Sequence, residues 1–241
     1  MGILKNYFDG IYCITSKTDS KRKKNFIKQV KELGLYDDIT FYYFEDTNTY
    51  SIPRNKITKL LKHPLLKRSL SCAISHYNCV KDAQKNGYNN VLIFEDDVYF
   101  PKDINTIVKI LDNMPKDYGL IRFSWPFSLC ENFEYSLIER NECCAAAYAL
   151  SKDAIDDYVD HQQNVQLEVA DHFFLILDKE KYKCYYSNTW LAFPFDDTNE
   201  LERYVSDLST IYPTDKVKEI QRNMYYKTNE RLRSSIWSRN F

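Results

Sequence analysis

A short apolar run that ends in three acidic residues is the feature that most constrains this chain. Residues 91–94 are Val-Leu-Ile-Phe, and Glu95, Asp96 and Asp97 follow them directly. Such a run is typical of a strand that is buried on both faces of a parallel sheet. In open α/β sheets, ligands bind at the carboxyl ends of the strands. The pattern therefore predicts a carboxylate site at the edge of a central sheet, with a solvated acidic turn as the alternative.

Strand and helix patterns alternate along the chain. The predicted strands are residues 10–14, 39–44, 91–94, 119–123 and 145–150. The predicted helices are residues 22–33, 71–85, 104–111, 153–159 and one that begins at Asp171. This alternation indicates an α/β fold with a mostly parallel central sheet flanked by helices.

We expect one domain over residues 1–213 and a helical extension over residues 214–241. The extension combines many Lys and Arg residues with Tyr225, Tyr226 and Trp237. That composition suits an interfacial helix attracted to anionic lipid. A solvated terminal helix packed on the domain is the alternative.

The charge and the glycine content narrow the function. With 33 Lys and Arg against 34 Asp and Glu, the chain lacks the basic excess of a dedicated nucleic-acid binder. With 5 Gly it contains no glycine-rich phosphate loop, so a bound phosphate must be held in another way. A Mg²⁺ or Mn²⁺ ion could hold the phosphates, because such an ion is bound by one or two carboxylates together with the phosphates of the ligand. Alternation along an extended segment lets Glu95 and Asp97 share that cation while Asp96 points elsewhere.

The cysteine pattern and the lack of long apolar segments bear on the compartment. No stretch approaches the roughly 18 apolar residues of a membrane span, and the first residues do not resemble a signal peptide. The 7 Cys have no framework spacing, which indicates reduced thiols in a cytoplasmic protein. No CxxC pair is present and the 4 His are scattered, so zinc is not expected. Peripheral membrane contact is expected only through residues 214–241.

Residues 70–100 carry a more specific pattern, LSCAISHYNCVKDAQKNGYNNVLIFEDDVYF. A Cys-x-x-Ser-His helix, here Cys72, Ser75 and His76, precedes a glycine, an apolar strand and Glu-Asp-Asp. This segment resembles the central signature of glycosyltransferase family 25. That family includes bacterial lipooligosaccharide galactosyltransferases and the collagen galactosyltransferases. Flanking segments agree in their order and extend the resemblance over residues 10–200.

The flanking segments align two further residues with the family and depart from it at others. Arg22 stands at the position of a family Arg, and Asp171 at that of a late family Asp. Thr15 and Ser16 replace the family's Asn-Leu pair in the first strand, so the identity of the sugar donor is less constrained. His172 replaces the aromatic residue that usually follows the late Asp.

The resemblance implies a GT-A-like domain over residues 1–213 that transfers a hexose, galactose or glucose, in glycan or lipopolysaccharide biosynthesis. The implied donor is a nucleotide sugar such as a UDP-hexose, the implied acceptor is a saccharide or glycoconjugate, and the transfer is inverting. The implied cofactor is Mn²⁺ or Mg²⁺. The implied metal ligands are Asp97 and Glu95, the implied donor-binding residues are Thr15, Arg22, Ser75, His76 and Asp96, and the implied general base is Asp171.

Each assignment has a plainer alternative. Asp171 equally suits the N-cap of a helix that begins there, Arg22 a solvated first-turn residue, and His76 a structural hydrogen-bonding residue. The pair Asp196-Asp197 is interpreted as a surface turn, with a further carboxylate of the site as the alternative. For the whole protein, the alternatives are a non-catalytic glycan- or nucleotide-binding module of the same fold and an Asp-based phosphohydrolase. The latter needs later Thr or Ser and Lys residues at strand ends, which this sequence does not place convincingly.

Overall fold

The computed structural model describes residues 2–17, 20–44, 67–124, 133–138, 145–165, 167, 170, 174, 177, 181–189 and 191–194. Its strands are β1 (Gly10–Thr15), β2 (Thr40–Tyr43), β3 (Asn90–Glu95), β4 (Val98–Tyr99), β5 (Tyr118–Arg122), β6 (Tyr135–Leu137), β7 (Ala147–Ser151), β8 (Lys183–Ser187) and β9 (Phe193–Pro194). Its α-helices are α1 (Lys21–Glu32), α2 (Lys67–Lys85), α3 (Ile104–Asp112) and α4 (Lys152–Asp160). Short 3₁₀ helices lie at Leu4–Asn6 and Tyr36–Asp38, and a π-helical turn lies at His161–Val165.

Seven of these strands form one sheet in the order β2-β1-β3-β7-β5-β8-β6, while β4 and β9 form a separate pair. Strand β1 is parallel to β2 and β3, and β5 is parallel to β8. Strand β7 is antiparallel to both β3 and β5, and β6 is antiparallel to β8. Five of the seven strands therefore share one direction, and the predicted α/β class with a mostly parallel sheet flanked by helices is confirmed.

Helices cover both sides of the sheet. The buried residues of α1 and α3 pack against one side, which we call the α1 face, and those of α2 and α4 pack against the other, the α2 face. Along the central strands the side chains alternate between the two: Cys13 and Phe94 pack on the α1 face, and Ile14 and Ile93 on the α2 face. This alternation follows from the pleat of a strand. Successive residues near the end of a strand therefore point to opposite faces of the sheet.

Local signals in the sequence account for the helix ends. Helix α1 begins after Ser20, whose hydroxyl accepts a hydrogen bond from the Lys23 amide at 3.1 Å. The turns after α1 and α2 contain Gly34 and Gly87, each with a φ of 70°. Glycine adopts this left-handed conformation without the strain that a side chain adds. Both helices end two residues before these glycines, at Glu32 and Lys85.

Other details differ from the sequence-based prediction. Helix α2 begins at Lys67 rather than at residue 71, and the strand predicted over residues 145–150 is the antiparallel strand β7, Ala147–Ser151. Strands β6 and β8 were not predicted, because their residues are partly exposed and lack a long apolar run. Asp171, where a helix is expected to begin, the pair Asp196-Asp197 and the extension over residues 214–241 lie outside the described residues. In the described part of the chain, no helix combines the length and apolar character needed to cross a membrane.

Candidate functional site

The three acidic residues lie at the carboxyl edge of the sheet, as the sequence predicts. Glu95 is the last residue of β3, and Asp96 and Asp97 form the turn that leads into β4. Strand β1 lies beside β3, with Ile14 opposite Glu95. The end of β1 and the start of α1 therefore approach the acidic turn from one side, while α2 approaches it from the other.

Asp96 is a buried carboxylate with polar contacts on both oxygens. Its Oδ2 accepts a hydrogen bond of 2.6 Å from the Thr15 hydroxyl, at the end of β1. Its Oδ1 accepts from Arg22 Nε at 3.2 Å and from Arg22 Nη2 at 3.1 Å. A carboxylate whose side chain is only 4% exposed is costly to bury unless such donors replace water. Thr15 and Arg22 therefore stabilise Asp96 at this position.

The same guanidinium also pairs with the next acid. Arg22 Nη2 lies 3.0 Å from Asp97 Oδ2. The Asp97 side chain is 18% exposed and the Arg22 side chain 37%, so this contact lies at the border between the protein and solvent. Arg22 occupies the first turn of α1, where a positive charge is unfavourable to the helix dipole. The two aspartates offset that cost.

Glu95 faces the opposite side of the sheet, because it follows Phe94, a residue of the α1 face, within the same strand. Its Oε1 lies 3.0 Å from His76 Nε2 and accepts a weak hydrogen bond from Cys72 Sγ at 3.7 Å. His76 is fully buried, and its Nδ1 lies 2.9 Å from the hydroxyl of Tyr148 on β7. Tyr148 is also fully buried, and the two rings stack with centroids 5.7 Å apart. A polar chain from Tyr148 through His76 to Glu95 thus crosses the α2 face.

The electrostatics of this polar chain of three side chains favour an ionised Glu95. Burial by itself raises the pKa of the Glu95 carboxyl, but the hydrogen bond and charge of His76, with the charge of Arg22, outweigh it, so the pKa lies below the ordinary value of 4.5. Burial raises the pKa of the Tyr148 hydroxyl well above its ordinary value, so that group keeps its proton. At neutral pH the polar chain therefore joins a phenol to a carboxylate through the ring of His76.

The geometry changes one detail of the predicted arrangement. Alternation was expected to put Glu95 and Asp97 on one side and Asp96 on the other. The strand ends at Glu95, so alternation does not continue through the turn. Asp96 and Asp97 share Arg22, and Glu95 contacts α2 instead.

The structure brings together some of the predicted site residues but not all of them. Thr15, Arg22, Asp96 and Asp97 form one connected cluster on the α1 face. Ser75 is buried, and its hydroxyl donates a hydrogen bond of 2.8 Å to the Ser71 carbonyl in its own helix. Asp171 lies outside the described residues. The donor-binding, metal-binding and general-base roles stay predictions.

Two residues that contact Glu95 or His76 were not among the predicted site residues. Cys72 is part of the Cys-x-x-Ser-His motif, and its i,i+4 spacing to His76 on a helix already puts both side chains on one face. Tyr148 gave a weaker signal, as the single aromatic residue of β7. Its contact with His76 depends on the pairing of β7 with β3, where Tyr148 lies opposite Ile93.

The described residues also contain one candidate group of metal ligands, formed by Cys72, His76 and Glu95. One ligand atom from each of them lies within 4.8 Å of those of the other two. Glu95 belongs both to the run of three acids and to this group of candidate metal ligands.

Comparison with known proteins agrees with the pattern in residues 70–100. The family model described as "Glycosyltransferase family 25 (LPS biosynthesis protein)" matches residues 8–175. A "Putative glycosyltransferase" of Haemophilus influenzae is 25% identical over 197 residues, which are 76% of this chain and 68% of that protein. "Procollagen galactosyltransferase 1-A" of Xenopus laevis is 25% identical over 129 residues, which are 48% of this chain. The matched part spans only 21% of the Xenopus protein's length.

Two solved structures are also similar. One is a glycosyltransferase involved in the glycosylation of the major capsid of PBCV-1, with a TM-score of 0.44 and 14% identity, covering 83% of this chain and 99% of the other. The second is A197 from STIV, with a TM-score of 0.41 and 14% identity, covering 78% of this chain and 86% of the other. The family assignment does not depend on these likenesses, since the family model alone matches more than half of the sequence, including every described residue of the acidic turn. The chain belongs to glycosyltransferase family 25.

Proposed function

We propose that this family 25 chain is a metal-dependent transferase that moves a hexose, galactose or glucose, from a nucleotide-sugar donor to a saccharide or glycoconjugate acceptor, with inversion. A UDP-hexose is the proposed donor. The observation that supports this most is the cluster of Thr15, Arg22, Asp96 and Asp97 at the carboxyl edge of the sheet. That edge is where open α/β sheets bind ligands.

The acidic turn fits a divalent cation because it already attracts a positive charge. The Arg22 guanidinium lies within 3.1 Å of carboxylate oxygens from Asp96 and Asp97. Carboxylate oxygens are the ligands that Mg²⁺ and Mn²⁺ prefer, and such ions are usually completed by substrate phosphates. We propose Asp97 and Glu95 as the ligands, with Glu95 contributing the carboxylate oxygen that does not contact His76 and Cys72. When bound, the cation would supply positive charge to the departing diphosphate.

The protein groups around the turn would orient the donor. Asp96 is held by Thr15 and Arg22, so its position is set before any ligand arrives. The Arg22 side chain is 37% exposed, so its guanidinium can also reach an anion bound above the turn. An arginine suits this role, because its planar donors match phosphate oxygens. We retain Asp171 as the proposed base that takes the proton of the acceptor hydroxyl.

The test measures release of nucleotide from a panel of sugar donors, with and without Mn²⁺. We expect UDP release from UDP-galactose or UDP-glucose that requires the metal, and NMR of the product should show an inverted anomeric centre. Asp97→Ala should lower the rate at least roughly 100-fold, as expected for lost charge stabilisation in a transition state. Asp117→Ala is the matched control, since Asp117 is an exposed acid paired with Lys183.

Two outcomes would contradict the proposal in different ways. Full activity of a folded Asp97→Ala variant would remove the metal role of the acidic turn. A chain that binds UDP and Mn²⁺, seen as a thermal shift, but turns over no donor would be the non-catalytic module of the same fold.

We further propose a cytoplasmic chain that contacts anionic membranes through residues 214–241. The basic and aromatic composition of that segment supports this. Sedimentation with anionic vesicles should retain the full chain, and replacing Lys216, Lys218 and Arg222 by Gln should release it. Equal retention of both proteins would contradict the membrane contact.

A further inference from the structure

We propose that Cys72, His76 and Glu95 bind a first-row divalent metal of the zinc class, at a site whose chemistry differs from that of the acidic turn. The thiol, the imidazole and the carboxylate supply sulfur, nitrogen and oxygen ligands. Magnesium and manganese prefer oxygen, whereas thiolate with imidazole selects zinc and similar metals. This inference goes beyond the proposed sugar transfer and does not depend on it.

The distances between the ligand atoms are close to those of a tetrahedral site. Bond lengths of about 2.3 Å to sulfur and about 2.0–2.2 Å to nitrogen and oxygen put the ligand atoms about 3.4–3.6 Å apart. Here Oε1 of Glu95 lies 3.0 Å from His76 Nε2 and 3.7 Å from Cys72 Sγ. All three ligand atoms lie within 4.8 Å of one another. Side-chain shifts of about 1 Å would suffice to close such a site.

The backbone elements hold these ligands in a fixed relation. Cys72 and His76 are four residues apart on α2, the spacing at which two side chains share one helix face. The same i,i+4 spacing is used by the two histidines of helical zinc motifs. Glu95 ends β3, a central strand of the sheet. A helix and a strand of the core therefore supply the three ligands, which favours a preorganised site.

Tyr148 supplies the outer support that metal-bound histidines usually have. Its hydroxyl lies 2.9 Å from Nδ1 of the fully buried His76. If Nδ1–H donates to that oxygen, Nε2 presents a lone pair toward Glu95. In that tautomer the two lone-pair atoms lie 3.0 Å apart, and a metal ion bound by both would relieve their repulsion.

A hydrogen-bonded relay without metal is the competing arrangement. In it Tyr148 donates to Nδ1, and Nε2–H and the Cys72 thiol donate to Glu95. The thiol distinguishes the two, because a metal-bound Cys72 is a thiolate that has lost its proton, whereas the relay keeps the thiol.

Cobalt binding to the full-length protein tests the site directly. The metal-free chain, kept reduced, is titrated with Co²⁺ while the visible and near-ultraviolet spectra are followed. We expect one equivalent to bind, with the intense visible bands of tetrahedral Co²⁺ and a thiolate-to-cobalt charge-transfer band. Zn²⁺ should displace it. These readouts need no sugar donor, so the result is independent of whether the chain transfers sugar.

Variants assign the signal to its ligands. Cys72→Ser should abolish the charge-transfer band, and Glu95→Gln should weaken binding at least ten-fold. Cys79→Ala is the matched control, because Cys79 lies on the same helix but is buried in the core of the α2 face, and it should keep the band. Asp97→Asn should keep it too. Circular dichroism would establish that each variant is folded.

Three results would overturn the proposal. The first is the absence of any cobalt spectrum, which would establish the relay. The second is an unchanged band in folded Cys72→Ser. The third is a band lost in Asp97→Asn but kept in Cys72→Ser, which would assign the metal to the acidic turn alone.

Discussion

Replacing Arg22 with Met tests how the acidic turn is stabilised. Met keeps much of the side chain's apolar length but removes the guanidinium. Asp96 would keep the Thr15 hydroxyl at 2.6 Å and lose the contacts from Arg22 at 3.1 and 3.2 Å. Asp97 would lose its ion pair at 3.0 Å. Two neighbouring carboxylates would then repel each other without the shared cation.

The size of the loss follows from these contacts. Removing one partner of a buried ion pair costs about 3–5 kcal/mol, and hydrogen bonds to charged groups contribute about 1.5–3 kcal/mol. The Arg22 side chain is 37% exposed, so solvent screening reduces the effect. We therefore expect a loss of about 2–3 kcal/mol in the free energy of unfolding. In a domain of this size that lowers the melting temperature by about 4–12 °C.

The assay is thermal unfolding at pH 7 followed by circular dichroism. Lys28→Met is the matched control on the same helix, because Lys28 forms an exposed i,i+4 pair with Glu32. It should cost no more than about 0.5 kcal/mol. Mn²⁺ should raise the melting temperature of Arg22→Met more than that of the unsubstituted protein, since the freed carboxylates can bind it. A melting temperature for Arg22→Met equal to that of Lys28→Met would refute the reasoning.

Three further perturbations probe other contacts of the site. Thr15→Val removes the hydroxyl that donates to buried Asp96 and should cost about 1.5–3 kcal/mol in denaturant unfolding. Tyr148→Phe removes the hydroxyl beside His76 Nδ1 and should cost about 1–2 kcal/mol in the same assay. The third concerns pH. The pKa of folded Glu95 is lowered from 4.5, so its stabilisation is present above that value and is lost as the pH falls through the folded pKa. The free energy of unfolding, measured from pH 6 to pH 3, should therefore fall less steeply in Glu95→Gln than in the unsubstituted protein.

Exposed residues of the same types provide the controls. Thr40→Val and Tyr43→Phe change residues at the exposed ends of β2 and should leave unfolding within about 0.5 kcal/mol. If Thr15→Val or Tyr148→Phe behaves like these controls, the contact concerned does not stabilise the site. An unchanged pH slope in Glu95→Gln would remove Glu95 as a source of the acid sensitivity.

Much of the fold could be predicted because its signals are local. The apolar residues of β3, the helical spacing in α2 and the two glycines in the turns after α1 and α2 each depend on neighbours within a few residues. Strands β6 and β8 could not be predicted in this way. They are short and partly exposed, and only their pairing with each other and with β5 makes them strands.

The candidate site, like the fold, could be predicted from the sequence only in its local features. The chemistry of Glu95, Asp96 and Asp97 and their position after a buried strand follow from the sequence alone. Which partner each acid contacts does not, because Thr15, Arg22 and Tyr148 are distant from the turn along the chain. Zinc was not expected from the sequence because no CxxC pair is present, yet the fold brings Glu95 to a Cys and a His four residues apart on α2.

The sequence by itself thus determined the class of the fold, the edge that carries the acids and the family to which the chain belongs. The tertiary structure decided that the acids separate, with Asp96 and Asp97 paired to Arg22 and Glu95 facing His76. The physical reason is that a strand's alternation ends where the strand ends. Beyond that point, the direction of each carboxylate depends on which buried donor lies nearest, and packing alone brings those donors together.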